Sequence, residues 1–176
     1  MKAFRLWGLA AVFFPPIPVD AQTTPDAAAS GFLSVYGSFH PSDGIPDAAG
    51  RARLAPYLSS GLNALLANGA AAQARFSAKA KDSPPLIEGD LFSSMFEGPT
   101  QWKLQACTIN ADQARCPVAF THASSGTKAI NWTDTLLLLN SPQGWRVDDI
   151  VYGGGFQFGN TGRLSDTLRT VASESP

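Results

Sequence analysis

The period of the hydrophobic residues changes once along this chain, near Trp102, and that change limits the folds available to it. Before Trp102, apolar residues recur every three to four positions, as in 32–39 and 54–66, which is typical of amphipathic helices. After Trp102 they alternate, which is typical of strands with one buried face. Because helices come first and strands follow, the order indicates an α+β fold with an antiparallel sheet.

The helical part predicts two N-terminal helices. The first starts at Thr24-Pro25-Asp26, which supplies a cap, a first-turn proline and an acid at the positive end of the helix dipole. The second runs from about 54 to about 81, with Pro56 in a first turn or a break. A short C-terminal helix is predicted near the end of the chain, with one apolar side made of Leu164, Leu168 and Val171.

The alternating part predicts a four-stranded antiparallel sheet. Its strands are expected at 102–109, 115–122, 130–139 and 145–152. The leucine run 136–139 suggests burial on both faces of the third strand. The fourth strand is predicted to alternate throughout, with one face formed by Trp145, Val147, Asp149 and Val151.

Residues 1–21 have the three parts of an export signal. Two basic residues precede the short apolar region 6–14, and 19–21 fit a small-x-small cleavage site. The apolar region is too short to span a bilayer, and no cysteine follows the cleavage site to carry a lipid. We therefore expect a bacterial protein that is periplasmic or secreted, has no stable membrane anchor, and folds residues 22–176 as a single domain.

Charge and motifs disfavour several classes of function. The 13 Lys and Arg residues and 14 Asp and Glu residues are scattered, with no basic stripe for nucleic acid. No spacing of Cys and His fits a metal site. Gly153-Gly154-Gly155 lacks the Gly-Lys-Ser/Thr of a phosphate-binding loop. We therefore expect no cofactor, no metal and no nucleic-acid partner.

Two cysteines, Cys107 and Cys116, are predicted to form a disulfide across a hairpin. If Ala111-Asp112 is a two-residue turn, the cysteines lie directly opposite each other as a non-hydrogen-bonded pair, whose Cα atoms approach to about 4.5 Å. That separation suits a disulfide. The alternative, a redox-active pair, has little support because the spacing is not Cys-x-x-Cys.

A family resemblance rests on three stretches: Gly89-Asp90-Leu91-Phe92, G-W-R-V-D-D-I-V-Y at 144–152, and L-S-x-x-L at 164–168. They resemble domain-of-unknown-function family 3828, whose members are exported or lipid-anchored bacterial proteins with a nuclear-transport-factor-2-like, or cystatin-like, fold. The resemblance implies that the sheet is curved, that it wraps a helix in a cone-like shape, and that an apolar pocket lies at the open end. Since the family has no general activity, the resemblance implies a fold and no reaction.

Six side chains are candidates to line such a pocket: Asp90, Trp102, His122, Trp132, Asp134 and Tyr152. For the aromatic ones, which lie on predicted strands, the alternative is core packing. For His122, at the end of the second strand, the alternative is a surface position. For Asp90, in an apolar loop, the alternative is a turn cap. Phe92 and Trp145 are predicted core residues.

We expect an exported, non-catalytic binding domain whose partner is a small apolar ligand or an envelope protein. One alternative is a pocket enzyme, a hydrolase or isomerase, that uses His122 or Asp134 together with Asp90. Another is a structural module that forms a homodimer through an apolar sheet face. An enzyme should gather two or more titratable groups at one apolar cavity, whereas a binding domain should show an apolar cavity with few.

Overall fold

The first helix begins where the sequence predicts it. The computed structural model describes residues 23–39 and 43–173, so the predicted export signal lies outside it. Helix α1 (Pro25–Phe39) starts at the proline, and the Thr24 hydroxyl accepts a hydrogen bond from the Ala27 amide at 3.1 Å. Its apolar stripe, which includes Phe32 and Tyr36, is buried, and the helix contacts the sheet. Packing of this stripe, more than helix propensity, stabilises such a segment.

The second predicted helix, from about 54 to about 81, is preceded by a further helix that was not predicted. Helix α2 (Ala48–Leu54) runs into a 3-10 turn (Ala55–Tyr57), and α3 (Ser60–Lys79) begins afresh. Pro56 lies in the turn, where a residue without an amide hydrogen is tolerated. The Ser59 hydroxyl then caps α3 by accepting from the Leu62 amide at 3.0 Å. Among the described residues, three α-helices therefore precede the main sheet, not the two that were predicted.

Over the part of the chain that the structure describes, the main sheet has five antiparallel strands instead of the predicted four. They are β3 (Gln101–Leu104), β4 (Thr108–Asn110), β5 (Gln113–His122), β6 (Ile130–Ser141) and β7 (Gly144–Val151). The order is β3-β5-β6-β7, and β4 also pairs with β5. The predicted first strand is split because its register on β5 shifts by one residue between the pairs Leu104↔Val118 and Thr108↔Arg115.

The predicted disulfide is confirmed. Asn110 pairs with Gln113 and Thr108 with Arg115, which is the register of a two-residue turn. Cys107 and Cys116 are bonded, and their Cα atoms lie 4.2 Å apart. The bond joins the interruption between β3 and β4 to the middle of the sheet.

A bulge in β7 overturns the predicted alternation of that strand. Leu137 pairs with Asp149 and Leu138 with Val147, so Asp148 is the extra residue. Past the bulge the faces exchange, and Ile150 lies on the same face as Val147. The leucine run is also less buried than predicted: Leu136 and Leu138 are buried, whereas Leu137 and Leu139 are half-buried.

Three small elements complete the fold. Strands β1 (Asp43–Gly44) and β2 (Gly89–Asp90) form a parallel pair, and α4 (Leu164–Ser173) packs on α3. Leu164, Leu168 and Val171 of α4 are buried, as predicted. Phe92 and Trp145 are confirmed as core residues, with side chains 1% and 6% exposed.

Candidate functional site

A turn at residues 89–98, the 89–98 loop, gathers most of the candidate residues. The Asp90 amide donates to the Phe96 carbonyl at 2.8 Å, and the Gly98 amide donates to the Met95 carbonyl at 3.0 Å, so the loop closes on itself. Gly98 has a φ of +71°, and a Cβ there would lie 2.3 Å from the Asp90 carboxylate. Only glycine permits both that backbone conformation and that approach.

The Asp90 carboxylate lies inside this loop, with 2% of the residue exposed. It accepts hydrogen bonds from the Tyr36 hydroxyl of α1 and, at 2.7 Å, from the Phe92 amide. Burial raises the pKa of Asp90 to about 6; hydrogen bonds from Tyr36 and from the Phe92 and Ser93 amides act in the opposite direction, and the Asp134 charge adds to the rise. Burial and then the Asp90 charge raise the pKa of Tyr36 well above its ordinary value, so the phenol stays protonated and donates.

Asp134 on β6 ties the 89–98 loop to the sheet. Its carboxylate accepts from the Ser94 hydroxyl, the Ser94 amide at 2.8 Å, the Trp132 indole at 3.1 Å and the Gly153 amide at 2.8 Å. The residue is 1% exposed. Four donors converging on one carboxylate stabilise a buried charge. Asp134 therefore acts as an anchor between the loop, β6 and the segment that follows β7.

Two further side chains, both from the segment that follows β7, donate hydrogen bonds to the 89–98 loop. The Tyr152 hydroxyl donates to the Leu91 carbonyl at 2.7 Å. The side-chain amide of Asn160 donates to the backbone carbonyls of Asp90 and Ser93, each at 2.7 Å. Asn160 was not predicted as a site residue, because an asparagine in a glycine-rich segment carries no sequence signal for this role.

His122 ends β5, as predicted, and is half-buried. Its Nδ1 lies 2.7 Å from the Gly98 carbonyl. Because a carbonyl oxygen only accepts, this contact places the ring hydrogen on Nδ1. His122 therefore contacts Gly98, the glycine that packs on Asp90. Its partner on the next strand is Ile130, four residues away from Asp134, so His122 lies at the edge of the cluster.

Trp102 lies apart from the other five candidates. It stands on β3 against α1, where a Cβ on Gly37 would lie 3.2 Å from the indole nitrogen. It is 36% exposed and pairs with Phe120. The structure thus brings together Asp90, Trp132, Asp134 and Tyr152, with His122 at their edge. The buried side-chain nitrogen and oxygen atoms of the described residues all have hydrogen-bond partners.

An open groove of about 720 Å³ lies beside this buried cluster. One wall comes from the 85–97 segment and the other from 156–159, and we call the space between them the Phe158 groove. Phe158 is 80% exposed and Phe96 is 40% exposed. None of the six predicted candidates is among the residues that line it.

The walls of the Phe158 groove are held by the buried cluster. Phe156 packs edge-on against Trp132, with ring centroids 5.4 Å apart. The backbone amide of Gly154 donates to the Ser94 hydroxyl at 2.9 Å, and the backbone amide of Asn160 donates to the Ser94 carbonyl at 2.9 Å. A Cβ on Gly159 would lie 2.2 Å from that carbonyl, so glycine allows the two segments to touch. Contacts within the protein therefore hold the walls of the groove in place.

The sequence did contain a signal for the groove. The segment G-G-G-F-Q-F-G at 153–159 places two phenylalanines in a stretch whose glycines cannot cover them. Large apolar side chains without neighbours of their own are a mark of binding surfaces. The predicted aromatic site residues all lay on predicted strands, and Phe156 and Phe158 were not among them.

A second cavity, of about 880 Å³, lies at the start of α3 and at the hairpin ends. Its lining includes Asp112, Arg146 and Asp148. The Ser59 hydroxyl donates to Asp148 at 2.6 Å, so the carboxylate already occupies the positive end of α3. Asp149 serves α4 in the same way, accepting from the Ser165 amide at 2.9 Å. Both acids therefore have structural partners.

Comparisons with protein families, with characterised proteins and with solved structures find no match to this chain. Within residues 23–39 and 43–173, no helix has both the length and the apolar character needed to cross a membrane. Over the same ranges, no group of three or more His, Cys, Asp or Glu side chains is placed to hold a metal ion. The functional argument therefore rests on the geometry of this chain alone.

Proposed function

We propose that this chain is an exported, non-catalytic binding domain that holds a small apolar ligand in the Phe158 groove. The observation that carries the proposal is the exposure of Phe158, at 80%, and Phe96, at 40%, over a space of about 720 Å³. Sites for small molecules span about 300–1,000 Å³ and are lined mainly by apolar and aromatic side chains. A ligand in the groove would remove both rings from water, which is the main favourable contribution to such binding.

Binding is favoured over catalysis by the state of the two buried acids. An acid-base catalyst must come within hydrogen-bond reach of its substrate. Asp90 and Asp134 are 2% and 1% exposed, and each carboxylate is engaged by donors of the protein itself. A pocket enzyme that used His122 or Asp134 with Asp90 would have to detach the 89–98 loop first. The buried acids support a role in shaping the groove.

The fold proposed for this chain is the nuclear-transport-factor-2-like, cone-like fold of domain-of-unknown-function family 3828. Three features support it: helices precede the strands, the main sheet is antiparallel, and α1 contacts β3, β5, β6 and β7. In such a fold a ligand site at the open end of the sheet is a common arrangement. The proposal concerns shape and gives no reaction.

Export to the periplasm or medium is proposed from residues 1–21 and supported by the disulfide. Disulfides persist in oxidising compartments and are rare in the cytosol. Mass spectrometry of the exported protein should give a chain that starts at Gln22. Exported protein that still carried Met1 would contradict cleavage before Gln22.

Fluorescence titration with N-phenyl-1-naphthylamine, a neutral apolar dye, tests the proposed function. We expect saturable binding, and Phe158→Ala should weaken it about fivefold or more, because burying a Phe side chain contributes about 1.5–3 kcal/mol. The matched control is Ile109→Ala, which removes another exposed apolar side chain, 56% exposed, from the distant strand β4. Equal loss in both variants, or none in Phe158→Ala, would contradict a site in the groove.

A further inference from the structure

The Phe158 groove has an acidic wall. Among the described residues that line it, the charged ones are Glu88 and Glu97, and both are exposed. The remaining lining comes from aliphatic, aromatic and small residues and one glutamine, with no Lys, Arg or His. The groove therefore combines apolar rings with negative charge only.

The two glutamates belong to the same wall for a structural reason. The hydrogen bond from the Asp90 amide to the Phe96 carbonyl holds the two sides of the loop next to each other. Glu88 and Glu97 lie just outside that pair, so the loop that buries Asp90 also places both residues on the same wall of the groove. Asn160 donates to the carbonyls of Ser93 and Ser94, which holds this loop next to the wall that carries Phe158.

Both walls offer aromatic surface to a positive charge, Phe158 on one wall and Phe96 on the wall of the glutamates. Phe158 and Phe96 expose 80% and 40% of their surfaces. A cation near the face of an aromatic ring is attracted by the quadrupole of the ring. Carboxylates and exposed phenylalanines in one groove thus attract the same kind of ligand group.

We propose that the groove selects ligands that join an apolar body to a cationic head, such as alkyl or aryl ammonium compounds. The apolar body covers Phe156 and Phe158, and the head lies between the rings and the two glutamates. This inference rests on the proposed binding function and names its ligand class. Complementary charge contributes mainly to specificity, so the cation is preferred over neutral and anionic ligands with the same body.

The test compares three probes that share a ten-carbon chain: decyltrimethylammonium, decyl maltoside and decanoate. Each is titrated calorimetrically into the protein below its micelle-forming concentration. We expect the cation to bind about tenfold or more tighter than decanoate, with decyl maltoside between them. Because both glutamates are exposed, this preference should shrink as salt rises and screens the charges.

Variants test whether the preference for the cation depends on Glu88 and Glu97. In Glu88→Gln/Glu97→Gln the cation should bind no tighter than decyl maltoside, while decyl maltoside itself should change less than twofold. The matched control is Asp26→Asn/Asp112→Asn, which removes the same charge from two exposed positions outside the groove and should keep the preference. A preference that survives in the double Gln variant overturns the inference.

The outcomes separate the two proposals. Equal binding of all three probes, lost in Phe158→Ala, overturns the ligand class and leaves the binding function standing. Tighter binding of decanoate than of decyltrimethylammonium would also overturn the ligand class and leave the binding function standing. Binding of none of the probes overturns both proposals, and the groove would then be open to a protein partner.

Discussion

The two buried carboxylates should respond in opposite ways to the same substitution, Asp→Asn. Asp134 accepts four hydrogen bonds, so its acceptor capacity is in full use. Asp90 accepts from the Tyr36 hydroxyl and from the Phe92 and Ser93 amides, and burial raises its pKa to about 6. In Asp90→Asn the side-chain oxygen accepts from the backbone amides, and the nitrogen donates to the phenol oxygen once the phenol hydrogen turns to another acceptor.

The magnitude for Asp90 follows from its pKa. A rise from 3.8 to about 6 makes the folded protein hold a proton where the unfolded chain has released it. The contribution of Asp90 to stability is therefore greatest below about pH 4 and falls as the pH rises to about 6. A shift of about two pK units, at about 1.36 kcal/mol each, corresponds to about 3 kcal/mol. Asp90→Asn cannot ionise and escapes this loss.

For Asp134 the substitution should be harmful at every pH. An amide leaves at least one buried donor, such as the Gly153 amide, facing an N–H group instead of an oxygen. Each buried donor left without an acceptor costs about 1–3 kcal/mol, and the remaining bonds lose the contribution of the charge. We expect Asp134→Asn to lower the free energy of unfolding by about 3 kcal/mol.

Urea unfolding followed by tryptophan fluorescence from pH 4 to pH 7.5 measures both effects. The free energy of unfolding of Asp90→Asn minus that of the wild type should rise by about 2–2.5 kcal/mol over this range, because at pH 4 the unfolded chain has already released part of the proton. Asp112→Asn, at an exposed position in the hairpin turn, is the control and should show no such rise. A difference for Asp90→Asn that stays constant with pH would refute the reasoning about its burial.

Three further predictions concern stability. Reduction of the Cys107–Cys116 bond should lower the free energy of unfolding by about 3 kcal/mol, from the entropy of a ten-residue ring, and identical urea midpoints with and without reductant would contradict this. Asn160→Ala should cost about 2 kcal/mol, since two backbone carbonyls lose their donor, and a cost below about 0.5 kcal/mol in urea unfolding would mean that water replaces it. Ala111→Gly should add about 0.5–1 kcal/mol because Ala111 has a φ of 54°, and a lower melting temperature would count against that strain.

Local rules predicted the parts of the fold that depend on neighbours in sequence. The two-residue turn at Ala111 fixes the register of the hairpin, and that register alone places Cys107 opposite Cys116. The apolar phase of each segment was enough to place Phe92 and Trp145 in the core. These predictions needed only the period of the chain and the geometry of a tight turn.

Long-range features escaped the same rules. Asp148, the extra residue of the bulge, accepts a hydrogen bond from Ser59, far away in sequence, and no local pattern reports such a partner. Asp90 and Asp134 were predicted as pocket candidates from residue type, but their burial depends on how the 89–98 loop folds over the sheet. The Phe158 groove likewise requires two loops to meet, which periodicity does not encode.

The most direct test of the account is a heteronuclear NMR titration that locates the bound dye. On addition of N-phenyl-1-naphthylamine, the amide signals of 95–97 and 156–159 should shift progressively and saturate, because these segments line the Phe158 groove. The second cavity, lined by 58–61 and 139–141, provides the rival position. Shifts concentrated there, with the groove signals unmoved, would contradict the central claim that this groove is the binding site.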